Sequence, residues 1–158
     1  MKTLVIIPSR LSATRLPGKP LLKINGLSII SHVFKRAEKA NIGEVIVAAE
    51  DKEIAEDVKM NGGNAILTSK KPKTGTDRIY EALKILDRKN IDLIMNIQGD
   101  EPEIDIEDIK KLYNNMKNNK KTRIGTLAAK ISDIKMYENQ NIVKVKTKES
   151  FEQNQFPL

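Results

Sequence analysis

The stretch Leu4-Val5-Ile6-Ile7-Pro8-Ser9-Arg10-Leu11-Ser12-Ala13-Thr14-Arg15-Leu16-Pro17-Gly18-Lys19-Pro20 decides how this chain is read. Residues 4–7 form an apolar run of strand length that stops at Pro8. The loop that follows carries Arg10, Arg15 and Lys19 among Ser9, Ser12, Thr14 and Gly18, and apolar residues resume at Leu21. A buried strand feeding such a loop is where an open α/β sheet presents a ligand site. Arg grips phosphate oxygens in pairs, Lys acts as a point charge, and Gly lets the backbone approach, so the loop suits a polyphosphate. It is neither a Walker A sequence nor G-x-G-x-x-G, and neither mechanism transfers to it. The competing reading is a solvated basic loop.

Outward from this stretch, strand and helix patterns alternate. Asn25-Gly26 signals a tight turn, and Ser28 is the expected N-cap of a helix to about Ala40 with Ile29, Ile30, Val33, Phe34 and Ala37 on one face. Residues 45–49 read as a strand. Asp51 opens a helix that turns Ile54, Ala55 and Val58 inward and ends at Gly62-Gly63. A short strand at 65–67 leads to a polar loop. Thr76 or Asp77 is the expected cap of the next helix, with Ile79, Ala82, Leu83 and Leu86 buried. A strand at 93–97 and a helix from Asp105 follow. Residues 127–131 and 142–145 are further strand candidates, with a helical turn around 134–137. This order predicts one α/β domain over 1–158, a mostly parallel sheet with helices on both faces.

Composition narrows the function. A chain of 158 residues, 39% hydrophobic and 31% charged, supports one globular core filled by aliphatics, since aromatics are 4% and Trp is absent. Without Cys there are no disulfides and no thiolate metal sites. No signal peptide or membrane-spanning run is evident, so a cytoplasmic protein without membrane contact is expected. The net charge of +7 invites a nucleic-acid reading, but most Lys are spread along helix faces among Asp and Glu, and the basic loops lack stacking aromatics. An anionic small substrate accounts for the first loop equally well. His32, the single histidine, lies on a helix and reads as a packing or surface residue, which disfavours histidine-based catalysis.

Parallel strands bring the loops at their C-terminal ends together, so three loops are candidates for one crevice. The first supplies Arg10, Arg15 and Lys19. The second, Thr74-Gly75-Thr76-Asp77-Arg78, opens a helix whose amides suit a base edge or phosphate, and Arg78 adds a cation. The third is Gln98-Gly99-Asp100-Glu101-Pro102. There Asp100 suits a hard divalent cation, or it caps the following helix.

The segments Pro8-Ser9-Arg10, Arg15-Leu16-Pro17-Gly18-Lys19-Pro20-Leu21, Gly75-Thr76-Asp77-Arg78 and Asn96-Ile97-Gln98-Gly99-Asp100-Glu101-Pro102 together resemble the 3-deoxy-manno-octulosonate (Kdo) cytidylyltransferase family, the CMP-Kdo synthetases of lipopolysaccharide biosynthesis. Gly125-Thr126-Leu127-Ala128 and residues 139–145 extend the likeness over almost the whole chain. The resemblance implies a Rossmann-like nucleotidyltransferase fold and transfer of CMP from CTP to Kdo with Mg2+, releasing pyrophosphate. It implies that Arg10, Arg15 and Lys19 hold the triphosphate, that Pro8, Ser9, Gly75 and Arg78 line the cytidine pocket, that Asp100 binds Mg2+, and that Gln98 faces the sugar or its junction with the α-phosphate. Arg10, Lys19, Gln98 and Asp100 are thereby the expected catalytic set. Ser9 stands where the family often has Ala, which is tolerable for a main-chain contact.

Family members continue well past Leu158, with a Phe-Ser-Arg strand, sugar-acid residues, much of a homodimer interface and a second metal carboxylate. The resemblance therefore implies an incomplete domain of low activity. Transfer to another sugar acid or sugar, and nucleotide binding without turnover, are the alternatives.

Overall fold

The computed structural model describes residues 1–12 and 16–146; Arg15 and residues 156–158 lie outside them. In chain order the elements are β1 (Thr3–Ser9), a single 3-10 turn (Lys19–Leu21), β2 (Lys23–Ile24), β3 (Leu27–Ser28), α1 (Ile29–Lys39), β4 (Glu44–Ala49), α2 (Lys52–Met60), β5 (Ala65–Leu67), α3 (Gly75–Leu86), β6 (Leu93–Asn96), α4 (Ile106–Asn118) and α5 (Ile134–Glu138). By contacts the chain divides into two units, Met1–Tyr113 and Asn114–Leu158. No helix among the described residues is long and apolar enough to cross a membrane.

The first unit is built on a four-stranded sheet in the order β5-β4-β1-β6, all pairings parallel. β1 is central because Leu4, Val5, Ile6 and Ile7 are wholly buried, and each side chain so buried contributes about 1.5–3 kcal/mol. Alternation along the strand sends Val5 and Ile7 to a cluster with Ile30, Val33 and Phe34 of α1, Ile54 and Val58 of α2, and Ile109 of α4. Leu4 and Ile6 face the other way, onto Ile79 and Ala82 of α3. Helices thus cover both faces of a parallel sheet, as the sequence pattern predicts.

The chain winds outward from β1 through β4 to β5 on the α1/α2 face, then returns by α3 across the opposite face to β6, on the far side of β1. The strand order reverses between β1 and β6, and the loops beyond their C-terminal ends frame a crevice.

Local chemistry explains the boundaries. β1 does not stop at Pro8 but runs to Ser9, with Pro8 in register with Ala48. The Ile6 carbonyl accepts from the Ile97 amide, so the even positions of β1 turn their polar groups toward β6. Pro8 falls beyond the last pair, Ile6 with Asn96, where no ladder donor is needed. Asn25 and Gly26, at φ 49° and 82°, form the tight turn between β2 and β3. Ser28 caps α1 as expected, its Oγ accepting from the Ser31 amide at 3.2 Å. His32 Nε2 donates to the Ile24 carbonyl at 2.8 Å, tying that hairpin to α1.

Two further expectations need correction. The cap of α3 is Thr74, not Thr76 or Asp77. The Thr74 hydroxyl accepts from the Asp77 amide while the Asp77 carboxylate accepts from the Thr74 amide, a reciprocal box that requires the acid three residues after the cap. Residues 127–131 and 142–145 do not form strands; α5 is the only regular element among residues 119–146. Ile124 and Val143 are 87% and 93% exposed there. An apolar pattern becomes a strand only where a neighbour completes its ladder and a layer covers its face, and these segments have neither among the described residues.

Candidate nucleotide-binding site

The crevice at the strand reversal is a cleft of about 340 Å³. Pro8, Ser9 and Arg10 line it from the end of β1, and Lys19 and Pro20 from the returning loop. Pro72, Lys73, Thr74, Gly75 and Arg78 enter from the start of α3, and Gln98, Gly99 and Asp100 from the end of β6. The eight predicted site residues in the described part of the chain thus share one cleft.

The cationic loop is held at both ends of its backbone. The Leu11 amide donates to Asp51 Oδ2 at 2.8 Å, and the Leu11 carbonyl accepts from the Gly18 amide at 3.0 Å. Asp51 sits at the N-cap position of α2 but makes no cap hydrogen bond, so its carboxylate serves the loop instead. Gly18, at φ 73°, turns the chain into the 3-10 segment that carries Lys19.

The third loop approaches β1 closely. A Cβ on Gly99 would lie 2.9 Å from the Pro8 carbonyl oxygen and 3.2 Å from Ile30 Cδ1, so only glycine lets Gln98 and Asp100 reach this position. Lys19 Nζ lies 2.8 Å from Asp100 Oδ2, joining the first and third loops.

Arg78 lines the cleft with its charge already met. It is 3% exposed, and its guanidinium donates to Glu50, to Thr68 Oγ1 at 2.6 Å and to the Ser69 carbonyl at 3.1 Å. It therefore braces the C-terminal ends of β4 and β5 against α3. Ser9 lies on the same strand face as Val5 and Ile7. Its hydroxyl is buried without a hydrogen-bond partner within the protein, while its carbonyl accepts from the Glu50 amide at 3.0 Å.

Two carboxylates of α3, Asp77 in its first turn and Glu81 in its middle, are more acidic than usual. The Thr74 hydroxyl, followed by the Thr74 amide, holds Asp77 below the ordinary carboxylate range. The Ser69 amide, seconded by the Ser69 hydroxyl, does the same for Glu81 against a smaller opposing effect of burial. Both sit beside the cleft and fix the segment that lines it.

Sequence reasoning did not single out Glu50 or Lys73, read Asp51 only as a helix start, and named Thr74 only as the first residue of the second loop. Glu50 and Asp51 directly follow β4, and a carboxylate at the C-terminal end of a parallel strand is a signal that points to the crevice. The Thr-x-x-Asp spacing signals the Thr74 cap.

No cluster of three or more acidic or histidine side chains able to hold a metal exists among the described residues. Asp100 nevertheless has the chemistry of a hard-cation seat. It is a carboxylate at the cleft with one oxygen already holding an ammonium. Mg2+ commonly takes only one or two carboxylates and completes its shell with phosphate oxygens and water.

Comparisons with known proteins place the chain in a family. The model of a family described as cytidylyltransferase matches residues 4–157. A 3-deoxy-manno-octulosonate cytidylyltransferase of Nitrobacter winogradskyi is 46% identical over 144 residues, 90% of this chain and 56% of that protein. One of Pseudoalteromonas atlantica is 40% identical over 141 residues, 89% of this chain and 56% of that protein. Among solved structures, a CMP:2-keto-3-deoxy-manno-octonic acid synthetase complexed with CTP superposes with a TM-score of 0.71 at 39% identity, covering 76% of this chain and 49% of that one. A cytidylyltransferase from Leptospira borgpetersenii gives 0.65 at 27% identity, covering 75% and 50%. The chain thus spans a little over half the length of the relatives it matches.

Proposed function

The chain belongs to the cytidylyltransferase family, and from that premise we propose that its cleft binds CTP with Mg2+ and serves transfer of CMP to Kdo, releasing pyrophosphate. The observation that carries this reading is the convergence of Arg10, Lys19, the start of α3 and Asp100 on one cleft at the strand reversal.

An alcohol attacking the α-phosphorus approaches a centre already crowded with negative charge. Arg10 and Lys19 would take phosphate oxygens, screening that charge and holding the triphosphate for in-line attack. The main chain at Pro8 and Ser9, with Gly75 at the start of α3, would line the cytidine pocket, whose wall Arg78 keeps rigid through Glu50. Arg15 would add a third cation to the triphosphate. Gln98, one side of the close-packed Gly99, would face the sugar or its junction with the α-phosphate. Asp100 would hold Mg2+, which when bound supplies charge neutralisation at the phosphates and leaving pyrophosphate. No covalent nucleophile is required.

The test is pyrophosphate release by the purified chain with CTP and Kdo together, beside each alone and beside UTP or ATP in place of CTP. Release that requires both CTP and Kdo is expected. Release without Kdo contradicts the acceptor, and CTP binding with no release reduces the chain to a nucleotide-binding module.

A further inference from the structure

Lys19 and Asp100 are the two cleft groups to which the proposed function gives opposite partners, phosphate for the ammonium and a divalent cation for the carboxylate. Within the protein each satisfies the other, at 2.8 Å. Arg10 lines the same cleft and has no carboxylate partner among the described residues. Resting on the nucleotide-transfer reading, we propose that the Lys19–Asp100 ion pair makes nucleotide and divalent cation bind cooperatively, each releasing the group the other needs.

The charges dictate the coupling. A nucleotide arriving without metal takes Lys19 from Asp100 and leaves a bare carboxylate beside its own phosphates. A divalent cation arriving alone takes Asp100 and leaves the ammonium next to a like charge. Arriving together, phosphate would take Lys19 and the cation would be held by Asp100, its charge offsetting both carboxylate and phosphates, so every charge would keep a partner. The Lys19 and Asp100 side chains are 33% and 56% exposed, so ligands reach both without disturbing the fold. An exposed pair of this kind changes an equilibrium constant by only about twofold to fivefold, weak enough to exchange on binding. Coupling between two ligands is reciprocal, so Mg2+ must favour CTP by the factor by which CTP favours Mg2+. Arg10 stands outside the exchange and contributes equally with or without metal.

Calorimetric titration of CTP into the wild type, Asp100→Asn, Lys19→Gln and the double variant tests this, each with excess MgCl2 and with EDTA. In EDTA, Asp100→Asn is expected to bind CTP about twofold to fivefold more tightly than the wild type, because Lys19 is released. In the Lys19→Gln background the same substitution is expected to give a smaller gain, because only general repulsion by Asp100 is relieved. The enhancement by Mg2+ should largely vanish in Asp100→Asn, while Arg10→Ala should weaken binding by one factor in both buffers. An equal gain from Asp100→Asn with and without Lys19, or an unchanged or weaker affinity in EDTA, overturns the inference and leaves the nucleotide reading standing. Absence of CTP binding by the wild type in both buffers overturns the nucleotide reading and the inference with it.

Discussion

Replacing Arg78 by alanine removes a guanidinium from a site where its side chain is 3% exposed and that of its partner Glu50 is 10% exposed. Three acceptors lose their donor at once: the Glu50 carboxylate, the Thr68 hydroxyl and the Ser69 carbonyl. Water reaches Glu50 poorly, so its charge stays largely uncompensated. Breaking one side of a buried pair costs about 3–5 kcal/mol, a large part of a domain's total stability. The protein supplies its own control in Arg88 and Glu44, an ion pair at 2.9 Å whose side chains are 46% and 43% exposed. There the expected loss on Arg88→Ala is about 0–1 kcal/mol. Urea unfolding of the two variants beside the wild type, followed by far-ultraviolet circular dichroism, reads both numbers. Glu50→Leu with Arg78→Met should recover much of the loss, because paired apolar side chains leave no charge behind. Equal, small losses for Arg78→Ala and Arg88→Ala would refute the assignment of Arg78 as the brace of this wall.

Asp51→Ala removes the acceptor for the Leu11 amide and should destabilise the fold by about 1–3 kcal/mol; CTP affinity, read by calorimetry, should fall with it, as the cationic loop loses its anchor. Gly99→Ala forces the third loop off β1, with an expected stability loss of about 1–3 kcal/mol in urea unfolding and weakened CTP binding. Asp77 and Glu81 have folded pKa values below their unfolded ones, so their contribution is complete above about pH 4.5 and is lost as pH falls through the folded values. Acid unfolding of the Asp77→Asn, Glu81→Gln double variant should accordingly lose part of the wild type's dependence on pH below about 4 and differ little in that dependence at neutral pH.

What was legible in the sequence was local. The run at residues 4–7, the Asn25-Gly26 turn and the Ser28 cap each carry their signal within a few residues, and the structure places them accordingly. Because β-α alternation fixes on which edge the strands end, the sequence alone assigns the three motif loops to one crevice. The pairings across that crevice were not legible. Glu50 with Arg78, Asp51 with the Leu11 amide and Lys19 with Asp100 join residues far apart in sequence, and no periodicity encodes such contacts. Residues 127–131 and 142–145 erred for a related reason. Strand-like composition states a preference, and only a neighbouring strand converts it into a ladder. Pro8 misled at the strand end because its cost depends on which neighbour its missing donor faces.

The central claim is that the cleft between β1 and β6 is a CTP site held by the cations of its first loop. Calorimetric titration of CTP with MgCl2 into the wild type, Arg10→Ala and Lys19→Ala tests it most directly. One CTP should bind per chain, and each substitution should weaken binding by about 1–3 kcal/mol, the worth of a charge-assisted contact. Unchanged affinity in both variants would contradict the account, because the cationic loop would then be a solvated surface and the nucleotide would bind elsewhere.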